Sequence, residues 1–209
     1  MLISVVQEKS IYITLVVVFS LIILALIFLP LIRNLYIKNH FQKCVYRKVY
    51  NCALYNDFYL INSLPISNGD RFSPLDHVLF SDKYIYVIKD RYYKDAISAS
   101  INDKVWLSYS SNGATTELPN PIMLNELRCN KFAISKNIDR SFFISIVVVN
   151  DDAYIEQKDE LNSFNSFICR KKDLKKLINN IEKRDVSDFN AEILSKIVKD
   201  IWKETGRSN

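Results

Sequence analysis

The longest pattern in the chain comes first. From Ile11 to Ile32 the sequence reads IYITLVVVFSLIILALIFLPLI, 22 residues without a charge. At about 1.5 Å per residue that is enough helix to cross a hydrocarbon core of about 30 Å. A cleaved signal peptide would have a shorter apolar run and a small-residue cleavage site, whereas here Pro30 is followed by Leu31, Ile32 and Arg33. A core helix this apolar would need covering on every side. The pattern therefore predicts one transmembrane helix.

After the span, the pattern changes twice. Between Leu35 and Tyr55 the chain has neither Gly nor Pro, and Leu35, Phe41, Val45, Val49 and Cys52 recur near helical spacing, which predicts a juxtamembrane helix. Then short runs rich in aromatic and β-branched residues take over. Phe58 to Leu64, Leu75 to Phe80 and Tyr84 to Arg91 read as strands, separated by the turn-prone segments SNGDRFSP and SDK. Ala96 to Ile101 and Lys104 to Tyr109 are two more, with a hairpin turn expected at Asn102 and Asp103. The cluster SSNGATTELPNP reads as turn, Ile122 to Ile134 as helix, and Phe142 to Val149 as a central strand covered on both faces. Ser166 to Cys169 is a short strand, Asp173 to Lys183 a helix, and Ser187 to Glu204 a last amphipathic helix capped by Ser187 or Asp188. The expected fold class is α/β of the α+β type, with a mixed central sheet flanked by helices.

These elements divide the chain into a short N-terminus at 1–10, the span at 11–32, a juxtamembrane helix at 33–56 and one domain at 57–209. About 150 residues can bury a core without disulfides or metal. The four cysteines, Cys44, Cys52, Cys129 and Cys169, are dispersed and make no ligand cluster with His40 or His77, so neither a zinc site nor a disulfide framework is expected.

Charge sharpens the picture. Residues 33–56 hold Arg33, Lys38, Lys43, Arg47 and Lys48 and no acid, while residues 57–209 carry 22 charges of each sign. Before the span stands only Lys9, next to Glu8. Basic residues near a span stay on the cytoplasmic side, which places the N-terminus outside and the domain in the cytoplasm. The five basic residues would then face the anionic inner leaflet, each worth about 1 kcal/mol near the surface. Lys and Arg between 170 and 176 also form a basic helix start, read mainly as a solvated face.

Candidate chemistry lies in PLDHVLF, Pro74 to Phe80, and KYIYVIKDRYY, Lys83 to Tyr93. With Trp106 and the sequence NPIMLN from Asn120 to Asn125, they resemble the nuclease-related domain family, known as NERD. The resemblance runs from about Tyr46 to Ile201 and implies a restriction-endonuclease-like fold. In that fold an Asp begins one strand and a Glu-x-Lys lies on the next. Asp76 matches the Asp, and Asn120 and Pro121 match the motif opening the helix. The position of the family's Glu, however, holds Lys89, that of its Lys holds Arg91, and that of a Gln holds Leu124.

A divalent metal takes converging oxygen ligands, and two fixed cations beside one acid oppose it. Side chains alternate along a strand, so Lys89 and Arg91 face one way and Asp90 the other. A one-residue slip would bring Asp90 beside Asp76 and restore two carboxylates. Three readings follow. The first is a domain without catalysis and without a cofactor, acting in binding or as a scaffold with an unnamed protein partner. The second is a Mg²⁺-dependent endonuclease of DNA or RNA using Asp76 and Asp90. The third is a nucleic-acid binder that does not cleave, with Lys89, Arg91 and the basic cluster at 170–176 on phosphate. His77 reads as a packed or edge residue, and Trp106 and Phe142 as core.

Overall fold

A computed structural model describes residues 2–65, 67–68, 71–72, 74–156 and 158–204. The chain forms two compact units, Met1–Phe41 and Gln42–Asn209. Helix α1 (Leu2–Asn56) begins in the first and ends in the second. From Val17 to Ile32 it exposes its large apolar side chains, and it is the one helix among the described residues long and apolar enough to cross a membrane.

In the second unit, Val45, Val49, Cys52 and Ala53 bury one stripe of the last turns of α1. A five-stranded mixed sheet follows. In spatial order it contains β1 (Tyr59–Leu64), β4 (Leu75–Phe80), β5 (Ile85–Arg91), β9 (Phe143–Val149) and β10 (Ser166–Arg170). The first three pair antiparallel, and β5, β9 and β10 run parallel. β9 is FISIVVV, buried at every position, as suits a strand hydrogen-bonded on both edges and covered on both faces.

Helix α2 (Pro121–Lys136) lies on one face, where Asn125 Nδ2 donates to the Val87 carbonyl and to Ser145 Oγ, both at 2.9 Å. Helix α4 (Ala191–Glu204) adds Leu194, Val198 and Ile201 to a core with Val78, Phe80, Val87, Phe132 and Phe143. On the opposite face Tyr86 Oη donates to Glu182, the last residue of α3 (Leu174–Glu182). This mixed sheet flanked by helices is the α+β architecture expected of a restriction-endonuclease-like fold.

A smaller antiparallel sheet contains β6 (Ala96–Ser98), β7 (Val105–Tyr109) and β8 (Thr115–Pro119), with Trp106 buried in its centre. Two short strands, β2 (Ser67–Asn68) and β3 (Arg71–Phe72), also pair; residues 69 and 70 of the expected turn lie outside the described residues.

Three local expectations change. β6 and β7 do pair, but through a wider loop at 99–104 and not a tight turn at Asn102 and Asp103. That loop is held by Asn120, whose Nδ2 donates to the Asp103 carbonyl at 2.8 Å and whose backbone N donates to Lys104 O at 2.9 Å. The segment read as turn contains strand β8, because only Ser110 to Ala114 close the turn. Gly113 supplies its positive φ of 81°, and the two threonines that follow suit an exposed edge. Helix α4 starts later than expected, since Asn190 Oδ1 accepts from the Glu192 and Ile193 amides at 2.9 and 3.3 Å. Phe189, just before it, is occupied in packing on Phe142, ring centroids 4.5 Å apart.

Candidate functional site

Asp76 is the second residue of β4, and Lys89, Asp90 and Arg91 end β5. The antiparallel register pairs His77 with Ile88, which brings Asp76 beside Lys89. Lys89 Nζ donates to Asp76 Oδ1 at 2.5 Å, and the Asp90 backbone N donates to Oδ2 at 3.1 Å. Both oxygens of the carboxylate are thus engaged by the neighbouring strand. Its side chain and that of Lys89 are only 19% and 14% exposed.

Arg91 follows on the same face, two residues on. A third cation, Arg128, comes from α2. Burial works against the charge of Lys89, held up mainly by Asp76 and opposed further by Arg91 and Arg128. Burial likewise works against Arg128, with Arg91 adding to it and Asp76 offsetting it. Lys89 thus pairs with Asp76 while feeling the positive charge of Arg91 and Arg128. Sequence reasoning did not single out Arg128, yet it stands one helical turn after Leu124, the position matched to the family's Gln, so the i, i+4 spacing carried the signal.

Asp90 points to the opposite face. Strand pairing is unbroken from His77–Ile88 to Phe80–Ile85 and, on the other edge, along the whole of β5, so no bulge carries its side chain across. There its Oδ2 lies 3.3 Å from His77 Nε2, and both side chains are buried. His77 Nδ1 is 2.6 Å from Asn62 Oδ1, and the Tyr46 ring of α1 lies 6.2 Å from the imidazole. The two ring nitrogens thus face Asn62 on one side and Asp90 on the other. Burial pushes the Asp90 carboxyl up, against the pull of His77.

A magnesium ion does not fit this arrangement. It would need several oxygen ligands, but Asp76 is already bound by Lys89 and a backbone amide, and Asp90 is on the far side of the sheet. Among the described residues no three His, Cys, Asp or Glu side chains converge on a metal position. The cations at 89, 91 and 128 would repel it.

The remaining candidates are structural or superficial. Asn120 caps α2, its Oδ1 accepting from the Ile122 and Met123 amides at 2.9 and 3.2 Å, and Pro121 takes the first helical position, where no amide is needed. Arg33 and Lys38 are exposed in the first unit, and Lys43, Arg47 and Lys48 in the second. Of the basic cluster, Lys171 pairs with Asp151 at 3.3 Å, and Lys175 lies 4.6 Å over the Tyr55 ring.

Comparison with known protein families matches residues 38–150 to the nuclease-related domain, NERD. No curated protein and no solved structure matches the chain. The match takes in β4, β5, β9 and all of α2, and with them Asp76, Lys89, Arg91, Asn120 and Pro121. Since it extends over more than half of the 209 residues, the chain belongs to the nuclease-related domain family.

Proposed function

We propose that this protein is a single-pass membrane protein whose nuclease-related domain has given up metal-dependent cleavage and serves in binding or as a scaffold at the inner membrane face. One observation carries the loss of catalysis: Asp76 is bound on both oxygens by β5, inside a group of three cations. Hydrolysis of a phosphodiester by a metal-activated water needs carboxylates free to hold the ion. The test is a nuclease assay of the full chain in detergent, with Mg²⁺ or Mn²⁺ and single- and double-stranded DNA and RNA, beside Asp76→Ala. No cleavage by folded protein is expected. Cleavage abolished by that substitution and by chelator would overturn the reading in favour of the endonuclease.

The anchor and its orientation belong to the same proposal. The exposed apolar surface of α1 supports the anchor, and the five basic residues at 33–48 support a cytoplasmic domain. Protease digestion of sealed inverted vesicles is expected to remove the domain, whereas protection of the domain would reverse the orientation. A second reading, nucleic-acid binding without cleavage, is favoured by Lys89 and Arg91 standing on one face of β5. It predicts a steep loss of DNA affinity with salt, and absence of binding at low salt ends it.

A further inference from the structure

We propose that the outer face of the two helices covering one side of the sheet, the end of α1 and the start of α3, is a docking surface for anionic phospholipid. The inference rests on the membrane anchor proposed above and adds the part of the domain that meets the bilayer. Helix α1 turns Val45, Val49 and Cys52 inward, and α3 turns Leu174, Ile178 and Ile181 inward. Outside they leave Lys43, Arg47 and Lys48 on α1, and Lys172, Lys175 and Lys176 before and in the first turn of α3, all exposed.

The two groups belong to one surface. Lys175 Nζ of α3 lies 4.6 Å over the Tyr55 ring of α1. The charges of Lys175 and Lys48 both reach the buried Cys52 thiol, working against the upward push of its burial. None of the six cations is paired with an acid among the described residues.

Acids are scarce here and gathered elsewhere. Residues 42–56 contain none, and residues 171–183 hold five cations against Asp173 and Glu182. Glu182 is turned inward, accepting from Tyr86 Oη and from Ser81 Oγ at 2.7 Å. The equal numbers of cations and anions in residues 57–209 therefore hide a segregation. Outside 171–183 that stretch carries 17 cations and 20 acids. A domain basic on one face and acidic over its remainder is oriented by the field of an anionic leaflet.

The side chains among the cations suit the same partner. Tyr50, Leu54 and Tyr55 stand bare there, Leu54 and Tyr55 at 64% and 71% exposure. Tyrosine has an apolar ring and a polar tip, a combination favoured at headgroup level, and a basic helix with apolar side chains suits the interface. Helix α1 also carries the apolar segment, so the tether keeps this face at high effective concentration near lipid, where weak attraction suffices. A nucleic acid would share the charge complementarity but has no such tether.

The experiment is lysine footprinting of the full chain in nanodiscs, either of phosphatidylcholine alone or of phosphatidylcholine mixed with phosphatidylglycerol. Initial acetylation rates are read residue by residue by mass spectrometry. In the anionic discs Lys48, Lys175 and Lys176 should react about threefold more slowly or less, and high salt should remove the difference. Lys131 on α2 and Lys199 on α4, across the sheet, should react alike in both discs. The variant Lys172→Gln, Lys175→Gln, Lys176→Gln changes exposed side chains alone and should restore much of the reactivity of Lys48. Co-elution of the chain with discs of either lipid reports the anchor separately.

Equal rates in the two discs, or equal slowing of Lys131 and Lys199, would overturn the docking surface and leave the anchor standing. Failure to co-elute would overturn both. Slowing by an added oligonucleotide in neutral discs, with none by anionic lipid, would assign the face to nucleic acid instead.

Discussion

Strands β4 and β5 present two acids within a few residues of each other and send them to opposite faces. On the α2 face Asp76 meets Lys89, Arg91 and Arg128 at a partly accessible position. On the α1 face Asp90 meets His77, closed in by Asn62 and Tyr46. The first gathers basic side chains around its acid, while the second is a buried acid and imidazole in contact. The same two-residue period thus puts a partly accessible acid among basic side chains on one face and a buried acid against an imidazole on the other. A register slip of one residue would exchange the roles, which is why unbroken pairing along β5 decides what the site can do.

Substitutions should separate the two faces by size of effect. The largest is expected from Asp90→Ala, which leaves His77 buried opposite nothing. A cost of about 3 kcal/mol should appear as a lower unfolding midpoint. The pH dependence has a definite sign. Because burial raises the Asp90 carboxyl, this group contributes stability that is fully present below its unfolded value, near 4, and lost as pH rises through its raised folded value. Asp90→Asn should therefore make stability fall more steeply on acidification from neutral pH towards 4 than in the unmodified protein, as read from melting curves across that range. A shallower fall would contradict the burial cause.

Next in size is Asn120→Ala. It removes the α2 cap and the anchor of the 99–104 loop together, at about 2 kcal/mol. Hydrogen exchange should report the disturbance in α2, the helix that carries Arg128, and leave the α1 face protected. Asp76→Asn should cost less, about 1 kcal/mol, since the amide keeps an oxygen for Lys89 while the cations lose their counterion. Smallest is Lys175→Ala, which deletes an exposed contact with Tyr55 and should change stability by about 0.5 kcal/mol. If Asp76→Asn proved as damaging as Asp90→Ala, the two faces would not differ in the way described.

Much of this was legible before any coordinates. Hydrophobic runs placed β4, β5, β9 and α2 within a residue or two, because strands covered on both faces and a helix with one buried stripe leave strong periodic signals. β8 was not legible. TTELP is mostly exposed and has no alternating apolar pattern, and its strand conformation comes from pairing with β7 across the turn at 110–114. The start of α4 was hidden for a related reason: Ser187, Asp188 and Asn190 can all cap, and the choice of Asn190 follows from where Phe189 packs. At the site, strand alternation was enough to put Lys89 and Arg91 on one face and Asp90 on the other. The partner that Asp90 finds in His77 and the arrival of Arg128 are tertiary facts. Neither follows from spacing along β5 alone.

The account's central claim is that the Asp76 position rejects a metal because of the residues at 89 and 91. Its most direct test is Mg²⁺ and Mn²⁺ binding by the full chain, compared with the double variant Lys89→Glu, Arg91→Lys, which restores the family's Glu-x-Lys beside Asp76. No binding by the unmodified protein and clear binding by the variant is the predicted result. Metal binding by the unmodified protein that disappears in Asp76→Asn would contradict it.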